Sequence, residues 1–278
     1  MKVISVVGYK KSGKTALVSA LVQKLSGFGS VGTVKHMGEF RYNPEDTDTG
    51  RHFDAGADTV IGLTNTEMVS FSGDPDLERA LDALCDRGLD FAVVEGFKQS
   101  KLPKIVLGDL DGVSNVLMRL PENPDLHETL SASIFGLILA QPDRYTLDDL
   151  IKRVRQNPDI RKAGAIGTFT GIVRELAEGT KTERLEFEKY EPEASKVLDK
   201  IREEIKQKEG ILEVLIHHKT GVIEAGEDIV YIVIASAHRT ELFPALSEAI
   251  ERVKAEAPIW KKEFTEKEEF WVHDREHA

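Results

Sequence analysis

The sequence predicts an α/β protein in two units, the first built on a mainly parallel, doubly wound sheet and the second of α+β type. Three observations predict it. The 278 residues exceed what one domain of typical size, about 100–200 residues, accommodates. In the first 120 residues, apolar runs of strand length alternate with segments of helical period. From residue 134 onwards the strands are longer and follow one another more directly.

Taken in order, Lys2–Val7 reads as a buried strand. Lys14–Leu25 reads as a helix, because Leu17, Val18, Leu21, Val22 and Leu25 recur at the 3.6-residue period. Ser30–Lys35 is a second strand, and Arg41–Arg51, polar and turn-rich, is a loop. Asp58–Leu63 and Glu67–Phe71 are strands that can form an antiparallel hairpin. Leu77–Cys85 is a helix, Phe91–Glu95 an apolar strand, and Lys104–Leu107 and Ser114–Leu117 two more strands. Arg119–Thr129 contains two prolines and little apolar content, which places the units at 1–120 and 134–278 with a linker at 121–133. The second unit reads as strand Ile134–Leu139, helix Leu147–Val154, strands Ala163–Val173 and Arg184–Tyr190, and helix Ala194–Lys206. Strands Leu212–His217 and Ile229–Ser236, helix Glu241–Ala255, and short strands at Ile259–Phe264 and Phe270–Val272 complete it.

Composition excludes several classes of function. No apolar run reaches the roughly 18–20 residues of a membrane span. The opening apolar stretch leads straight into a glycine-rich motif rather than a small-residue cleavage site, so a cytoplasmic location is expected. Cys85 is the single cysteine, which rules out an internal disulfide, and its helical spacing marks it as a small buried apolar residue. The net charge is −11, with 14 Lys+Arg against 19 Asp+Glu in residues 1–133 and 23 against 29 in the rest. Two acidic halves argue against a nucleic-acid partner. They leave room for a basic pocket that holds a small anion.

Gly8-Tyr9-Lys10-Lys11-Ser12-Gly13-Lys14-Thr15 fits G-x-x-x-x-G-K-[ST], between an apolar strand and a helix. Glycines let backbone N–H groups turn inward around phosphate oxygens, and the helix N-terminus adds a favourable dipole. Gly8, Lys11, Ser12 and Gly13 are the expected phosphate cradle; Lys14 is expected at the β- and γ-phosphates and Thr15 on Mg²⁺. Glu95, a carboxylate ending an apolar strand, is the expected second holder of the metal or its waters.

This region resembles the MobB family, the B proteins of molybdopterin-guanine dinucleotide biosynthesis. The resemblance covers about residues 1–118, and rests on the P-loop, Val34-Lys35-His36, Asp48 to Ala57 (DTGRHFDAGA), Glu95-Gly96-Phe97-Lys98 and Pro103-Lys104-Ile105. It departs from the family at Met37-Gly38-Glu39, where members often carry another histidine. The resemblance implies a GTP-binding accessory role in attaching GMP to molybdopterin, with a MobA-like guanylyltransferase as partner. No N/T-K-x-D motif is present, so GTP rather than ATP comes from the resemblance alone.

In the second half, polar residues stand where strands and helices end: Arg174, His218-Lys219, His238-Arg239 and Lys254, with Lys261 beyond Pro258. Cations gathered from strand ends into one cleft repel one another unless an anion neutralises them, so a phosphate-bearing ligand is expected. Pro258 breaks any continuous helix and puts Lys261 on the next strand, folding back towards Lys254. Lys262 is taken as a solvated lysine and His217 as core or edge packing.

These residues resemble the large, catalytic subunit of molybdopterin synthase, the MoaE family. The match covers about residues 134–273, through GAIGTFTGIVR at Gly164–Arg174, His218 to Gly221, Gly226-Glu227, Ser236 to Arg239, KAEAPIWKKE at Lys254–Glu263, and Trp271-Val272. It implies an α/β hammerhead fold and a homodimer. It further implies a sulfurtransferase that converts cyclic pyranopterin monophosphate to molybdopterin, fed by a small ubiquitin-like MoaD-like carrier with a thiocarboxylated Gly-Gly tail. On the matched positions, Lys254 and Lys261 are catalytic, and Arg174, His238 and Arg239 bind substrate, with Lys219 and His218 as weaker candidates. The sequence ends Asp274 to Ala278 without a Gly-Gly tail, so a separate carrier is expected. The combined expectation is a bifunctional molybdenum-cofactor protein. For the first unit, a nucleotide-gated adaptor with negligible turnover and a small-molecule kinase are the alternatives.

Overall fold

The computed structural model describes residues 1–38, 46–73, 75–130, 132–177 and 180–272. The chain divides into two compact units, Met1–Arg144 and Tyr145–Ala278.

The first unit runs β1 (Lys2–Gly8), α1 (Lys14–Leu25), β2 (Val31–Lys35), α2 (Asp48–Asp54), β3 (Thr59–Leu63), β4 (Met68–Ser72), α3 (Leu77–Asp86), β5 (Phe91–Glu95), β6 (Lys104–Leu107), β7 (Val116–Leu120), α4 (Leu126–Thr129) and α5 (Ala132–Leu139). Five strands form one sheet in the order β2-β5-β1-β6-β7, every neighbouring pair parallel. Strand alternation sends Ile4, Val6, Phe91, Val93, Ile105 and Leu107 to the face covered by α1 and α5, and Val3, Ala92 and Val94 to the face covered by Leu81 and Cys85 of α3. Both faces are therefore dry. Cys85 is fully buried, as its spacing indicates. Strands β3 and β4 form an antiparallel hairpin of their own.

The sequence reading of residues 114–139 needs three corrections. Leu117 to Leu120 continue a strand, Val116–Leu120, that forms the edge of the parallel sheet, so the proposed linker begins inside the fold. Ile134–Leu139 is not a strand but most of helix α5. An apolar run this short fits either period, and burial decides: Ile134, Phe135 and Ile138 lie one helical turn apart or adjacent and pack on the β1–β5 face. The first unit consequently continues to Arg144. The return segment is fixed there by the Arg144 N–H to the Met1 carbonyl (2.8 Å), by Lys2 Nζ to Asp143 Oδ2 (3.0 Å), and by the Arg144 guanidinium on Asp82 (2.7 Å) and Glu78 (2.6 Å). Of the loop expected at Arg41–Arg51, residues 41–45 lie outside the described residues and Asp48 onwards is helical, capped by the Thr47 hydroxyl accepting from the Gly50 N–H at 3.0 Å.

The second unit runs α6 (Leu147–Arg155), a 3₁₀ turn (Pro158–Lys162), β8 (Ala165–Ile172), β9 (Leu176–Ala177), β10 (Thr180–Lys189), α7 (Glu193–Lys206), β11 (Ile211–His218), β12 (Gly221–Glu224), β13 (Asp228–Ser236), α8 (Arg239–Glu256), β14 (Ile259–Thr265) and β15 (Glu269–Val272). A three-stranded antiparallel sheet, β11-β13-β8, is covered on one face by α7 and α8 and on the other by α6. A second antiparallel sheet, β12-β10-β14-β15, carries a separate small core of Val173, Leu185, Phe187 and Ile223. Among the described residues no helix is long and apolar enough to cross a membrane.

Candidate functional sites

In the first unit, β1 ends at Gly8 and α1 begins at Lys14, and the turn between them encloses a concavity. Gly8 has no room for a side chain: a Cβ there would come within 2.6 Å of the Ser12 hydroxyl oxygen and 2.9 Å of the Leu107 carbonyl. Ser12 is buried, and among the described residues its hydroxyl has no hydrogen-bond partner. Lys11 and Gly13 both adopt positive φ (68° and 89°), which turns successive backbone amides to one side of the loop. Lys14 Nζ folds over this loop and donates to the carbonyls of Gly8 (3.0 Å) and Tyr9.

The Thr15 hydroxyl donates to both carboxylate oxygens of Glu95, at 3.0 and 3.1 Å, so the two residues expected at a metal are in contact. Glu95 is only 8% exposed, at the end of β5, between the parallel neighbours β1 and β2. A hydroxyl and a carboxylate are hard oxygen donors, the kind Mg²⁺ accepts while it keeps waters and phosphate oxygens for its other positions. Among the described residues no group of three or more His, Cys, Asp or Glu could hold a metal by itself. The donor set and the side-chain-free cradle both fit a magnesium-bound nucleoside phosphate.

Several residues that line this site were not among those expected from the sequence, Lys35 and Asn123 among them. Lys35, at the end of β2, pairs with Glu95 at 3.1 Å. Asn123 lies within the stretch taken for a linker, yet it lines the same cavity, of about 760 Å³, together with Lys10, Lys14, Thr15, His36 and Glu95. Lys35 could have been found by its place in the quoted Val34-Lys35-His36. Asn123 had no signal of its own.

The second unit brings five of its seven expected residues to one end of the β11-β13-β8 sheet and puts the other two at the opposite end. Arg174 follows β8, whose last residue Ile172 pairs with Asp228 at the start of β13. The Lys219 N–H donates to the Ile229 carbonyl (2.8 Å), placing His218 and Lys219 at that same end. Helix α8 runs back from the far end of β13, and the strand after it brings Ile259 into the core with Val173 and Ile229, so Lys254 and Lys261 also arrive there. His238 and Arg239, in contrast, follow Ser236 at the opposite end of β13. Arg239 and Lys254 are about 22 Å apart along the helix axis at 1.5 Å per residue. The single cleft expected for all seven is therefore not formed within one chain. The Ala-His-Arg interruption that suggested a strand end into a cleft marks the start of α8, with His238 as its first flanking residue.

Each side chain at the gathered end has a distinct setting. Lys254 is exposed and pairs with Glu251 at 3.5 Å, while Lys261 is half-buried opposite Phe187 of β10. Lys219 Nζ stands 5.3 Å from the Tyr231 ring centroid, and Arg174 is exposed. His218 departs from the expected role of a cationic phosphate donor. Burial pushes its pKa down to about 4, opposed by the hydrogen bond between Nδ1 and the Lys219 carbonyl (2.6 Å) and reinforced by the nearby charge of Lys189. It is a neutral imidazole whose ring meets Phe187 edge-on at 5.0 Å. His217 packs edge-on against Tyr145 at 4.7 Å, as expected of a packing residue. Lys262, taken as solvated, is partly covered and pairs with Glu269 at 2.9 Å. Lys189, not singled out from the sequence, is a further half-buried cation here, held by Glu191 at 3.3 Å. The signal was present: Leu185, Phe187 and Lys189 share one strand face, and the first two are buried.

Comparison with known proteins matches both units. The model of the MobB family, Molybdopterin guanine dinucleotide synthesis protein B, matches residues 3–123, and that of the MoaE protein family matches residues 140–256. The Probable molybdopterin synthase of Haloferax volcanii is 38% identical over 278 residues, 99% of this chain and 100% of its own length. The Molybdopterin synthase catalytic subunit of Bacillus subtilis is 44% identical over 128 residues, 46% of this chain and 79% of its own. A Helicobacter pylori chain solved in the complex of subunits 1 and 2 of Molybdopterin-converting factor is 24% identical. That match covers 46% of this chain and 85% of the other, with a TM-score of 0.39.

Proposed function

The chain belongs to the family of the Haloferax volcanii probable molybdopterin synthase, in which a MobB unit is fused to a MoaE unit in an enzyme of molybdenum cofactor biosynthesis, and from that premise we propose a division of labour between its two sites. The second unit transfers sulfur from a thiocarboxylated, MoaD-like carrier to cyclic pyranopterin monophosphate, giving molybdopterin. The first unit binds GTP with Mg²⁺ and assists formation of the guanine dinucleotide form of the cofactor.

The observation that carries the sulfur-transfer reading is the gathering of Arg174, Lys219, Lys254 and Lys261 at one end of the β11-β13-β8 sheet, in a chain whose net charge is −11. A local concentration of cations in an acidic protein is costly without an anion to neutralise it, and a substrate phosphate supplies one. Lys254, exposed, is open to a carrier tail; Lys261, half-buried, is held by the β10–β14 ladder. His238 and Arg239 complete the set if a second copy presents its opposite end, which gives the expected homodimer a function. For the first unit, Thr15 and Glu95 would hold a Mg²⁺ that offsets phosphate charge, and Lys14 would contact the outer phosphates. Incubation with the pyranopterin precursor and a thiocarboxylated carrier, with dithiolene formation as readout, tests the reading. Lys254→Ala and Lys261→Ala are each expected to lose at least about 100-fold in rate, equivalent to 2.7 kcal/mol of barrier. Near-normal turnover by either variant removes that residue from the mechanism.

A further inference from the structure

Lys35 is the last residue of β2 and Glu95 the last of β5, and the two strands run parallel with Lys35 directly opposite Glu95. Residues in register on neighbouring strands send their side chains to the same face. The backbone here is fixed. The His36 N–H donates to the Glu95 carbonyl at 2.9 Å, and a Cβ on Gly96 would come within 2.9 Å of the His36 Cβ. The Lys35 ammonium therefore stands beside the two groups read above as holders of the metal. It pairs with Glu95 Oε1 at 3.1 Å and donates to Thr15 Oγ1 at 3.4 Å, while Thr15 donates to the same carboxylate.

An ammonium and a magnesium ion ask for the same oxygens here. Two cations this close repel each other unless an anion stands between them. The surroundings sharpen the conflict. Lys10, Lys11, Lys14 and Lys35 all line the cavity, and among the described residues Glu95 is its only carboxylate. A divalent ion entering alone meets four lysines and a carboxylate that is already paired. A triphosphate reverses the balance, because its oxygens serve the metal and the ammonium together. Lysine carries its charge on a flexible stem, and the Lys35 side chain is 49% exposed, so it is free to turn from Glu95 to a phosphate.

We propose that Lys35 competes with Mg²⁺ for Thr15 and Glu95, keeps the metal off them until a nucleotide phosphate arrives, and then pairs with that phosphate. The proposal rests on the reading of the first unit as a nucleotide-binding site. It makes metal and nucleotide binding cooperative, each held weakly alone and tightly together.

The test measures binding of Mn²⁺ alone by electron paramagnetic resonance, and of GTP in the presence of a chelator by calorimetry. It uses the full-length wild type, Lys35→Gln, Lys35→Ala, Lys35→Arg, Lys14→Ala, and Lys35→Gln combined with Glu95→Gln. Lys35→Gln is expected to bind Mn²⁺ at least about tenfold more tightly than the wild type and metal-free GTP at least about fivefold more weakly, changes that one neighbouring charge can supply. Lys35→Ala should repeat both changes. Lys35→Arg keeps a cation and should keep the wild-type Mn²⁺ affinity. The double variant should lose the gain in Mn²⁺ affinity, which assigns that gain to Glu95 rather than to acidic groups elsewhere on the surface. Unchanged or weaker Mn²⁺ binding in Lys35→Gln and Lys35→Ala overturns the proposal, as does a gain that survives in the double variant. A pair that only tied β2 to β5 would give no gain. GTP binding that is absent from the wild type, or that survives Lys14→Ala, defeats the reading of the first unit and the proposal with it. Lys14-dependent GTP binding without the gain in Mn²⁺ affinity defeats the competition alone.

Discussion

Acidifying the solution should destabilise the second unit through one residue, His218. Its pKa is about 4 in the folded chain, because burial disfavours the imidazolium, against 6.5 for an unhindered imidazole. Above 6.5 neither state binds the proton, and the full contribution of the neutral ring to stability is present. As the pH falls from 6.5 towards 4, the unfolded chain takes a proton that the folded chain refuses, and stability is lost throughout that window. The whole displacement corresponds to about 3 kcal/mol, and lowering the pH from 7 to 5 should cost about 2 kcal/mol of it. Carboxylates whose pKa values are held down, such as Glu213 by Lys206 and Asn157, also lose stability in acid, so the comparison must cancel them. His218→Gln does so: it keeps a donor towards the Lys219 carbonyl and does not titrate. Both tryptophans, Trp260 and Trp271, lie in the second unit, so urea unfolding followed by tryptophan fluorescence reports on it selectively. The wild type should lose about 2 kcal/mol more than the variant between pH 7 and pH 5. Equal losses would refute the argument, as would an imidazole resonance of His218 titrating near 6.5.

Three further outcomes are expected. Lys14→Ala should weaken triphosphate binding by at least about tenfold in calorimetry, the loss of about 1.4 kcal/mol or more of charge-assisted contact, while dithiolene formation by the second unit is retained. Arg239→Ala and Lys254→Ala should each be inactive alone, yet recover up to about a quarter of wild-type sites when unfolded and refolded together, because half of randomly paired symmetric dimers are mixed and each has one intact site. No recovery in a mixture shown to contain mixed dimers places Arg239 outside the shared site. With the carrier omitted and inorganic sulfide supplied, no catalytic dithiolene formation is expected; turnover in that mixture removes the need for a carrier.

Sequence pattern identified the parallel sheet because each of its central strands is short, uniformly apolar and followed by a helix or turn signal. It failed where an element had no pattern of its own. Ile134 to Leu139 are apolar at nearly every position, so neither period is favoured, and only the vacant face of β1 and β5 decides for a helix. Residues 119–129 look like a linker by their prolines, but Val116–Leu120 gains a strand partner from β6, in a register that runs from Lys104 opposite Val116 to Leu107 opposite Leu120. A tertiary hydrogen-bond ladder leaves no trace in local composition.

The two sites differ in legibility for a related reason. A phosphate loop is contiguous, so spacing alone brings Gly8, Gly13, Lys14 and Thr15 together, and Glu95 follows from being the last residue of the neighbouring strand. The cationic site is assembled from β8, the end of β11, α8 and β14, and sequence shows only that each cation ends an element, not which end of the sheet that element reaches. Antiparallel order settles it. In β13, Asp228 faces Ile172 and Ser236 faces Ala165, so residues following β8 and residues following β13 must emerge at opposite ends. Helix α8 then crosses back, which restores Lys254 to the Arg174 end but leaves Arg239 behind. The same topology that gathers Arg174, Lys219, Lys254 and Lys261 therefore keeps His238 and Arg239 from joining them inside one chain. A twofold partner that swaps the two ends is the simplest arrangement in which all of these cations face one substrate.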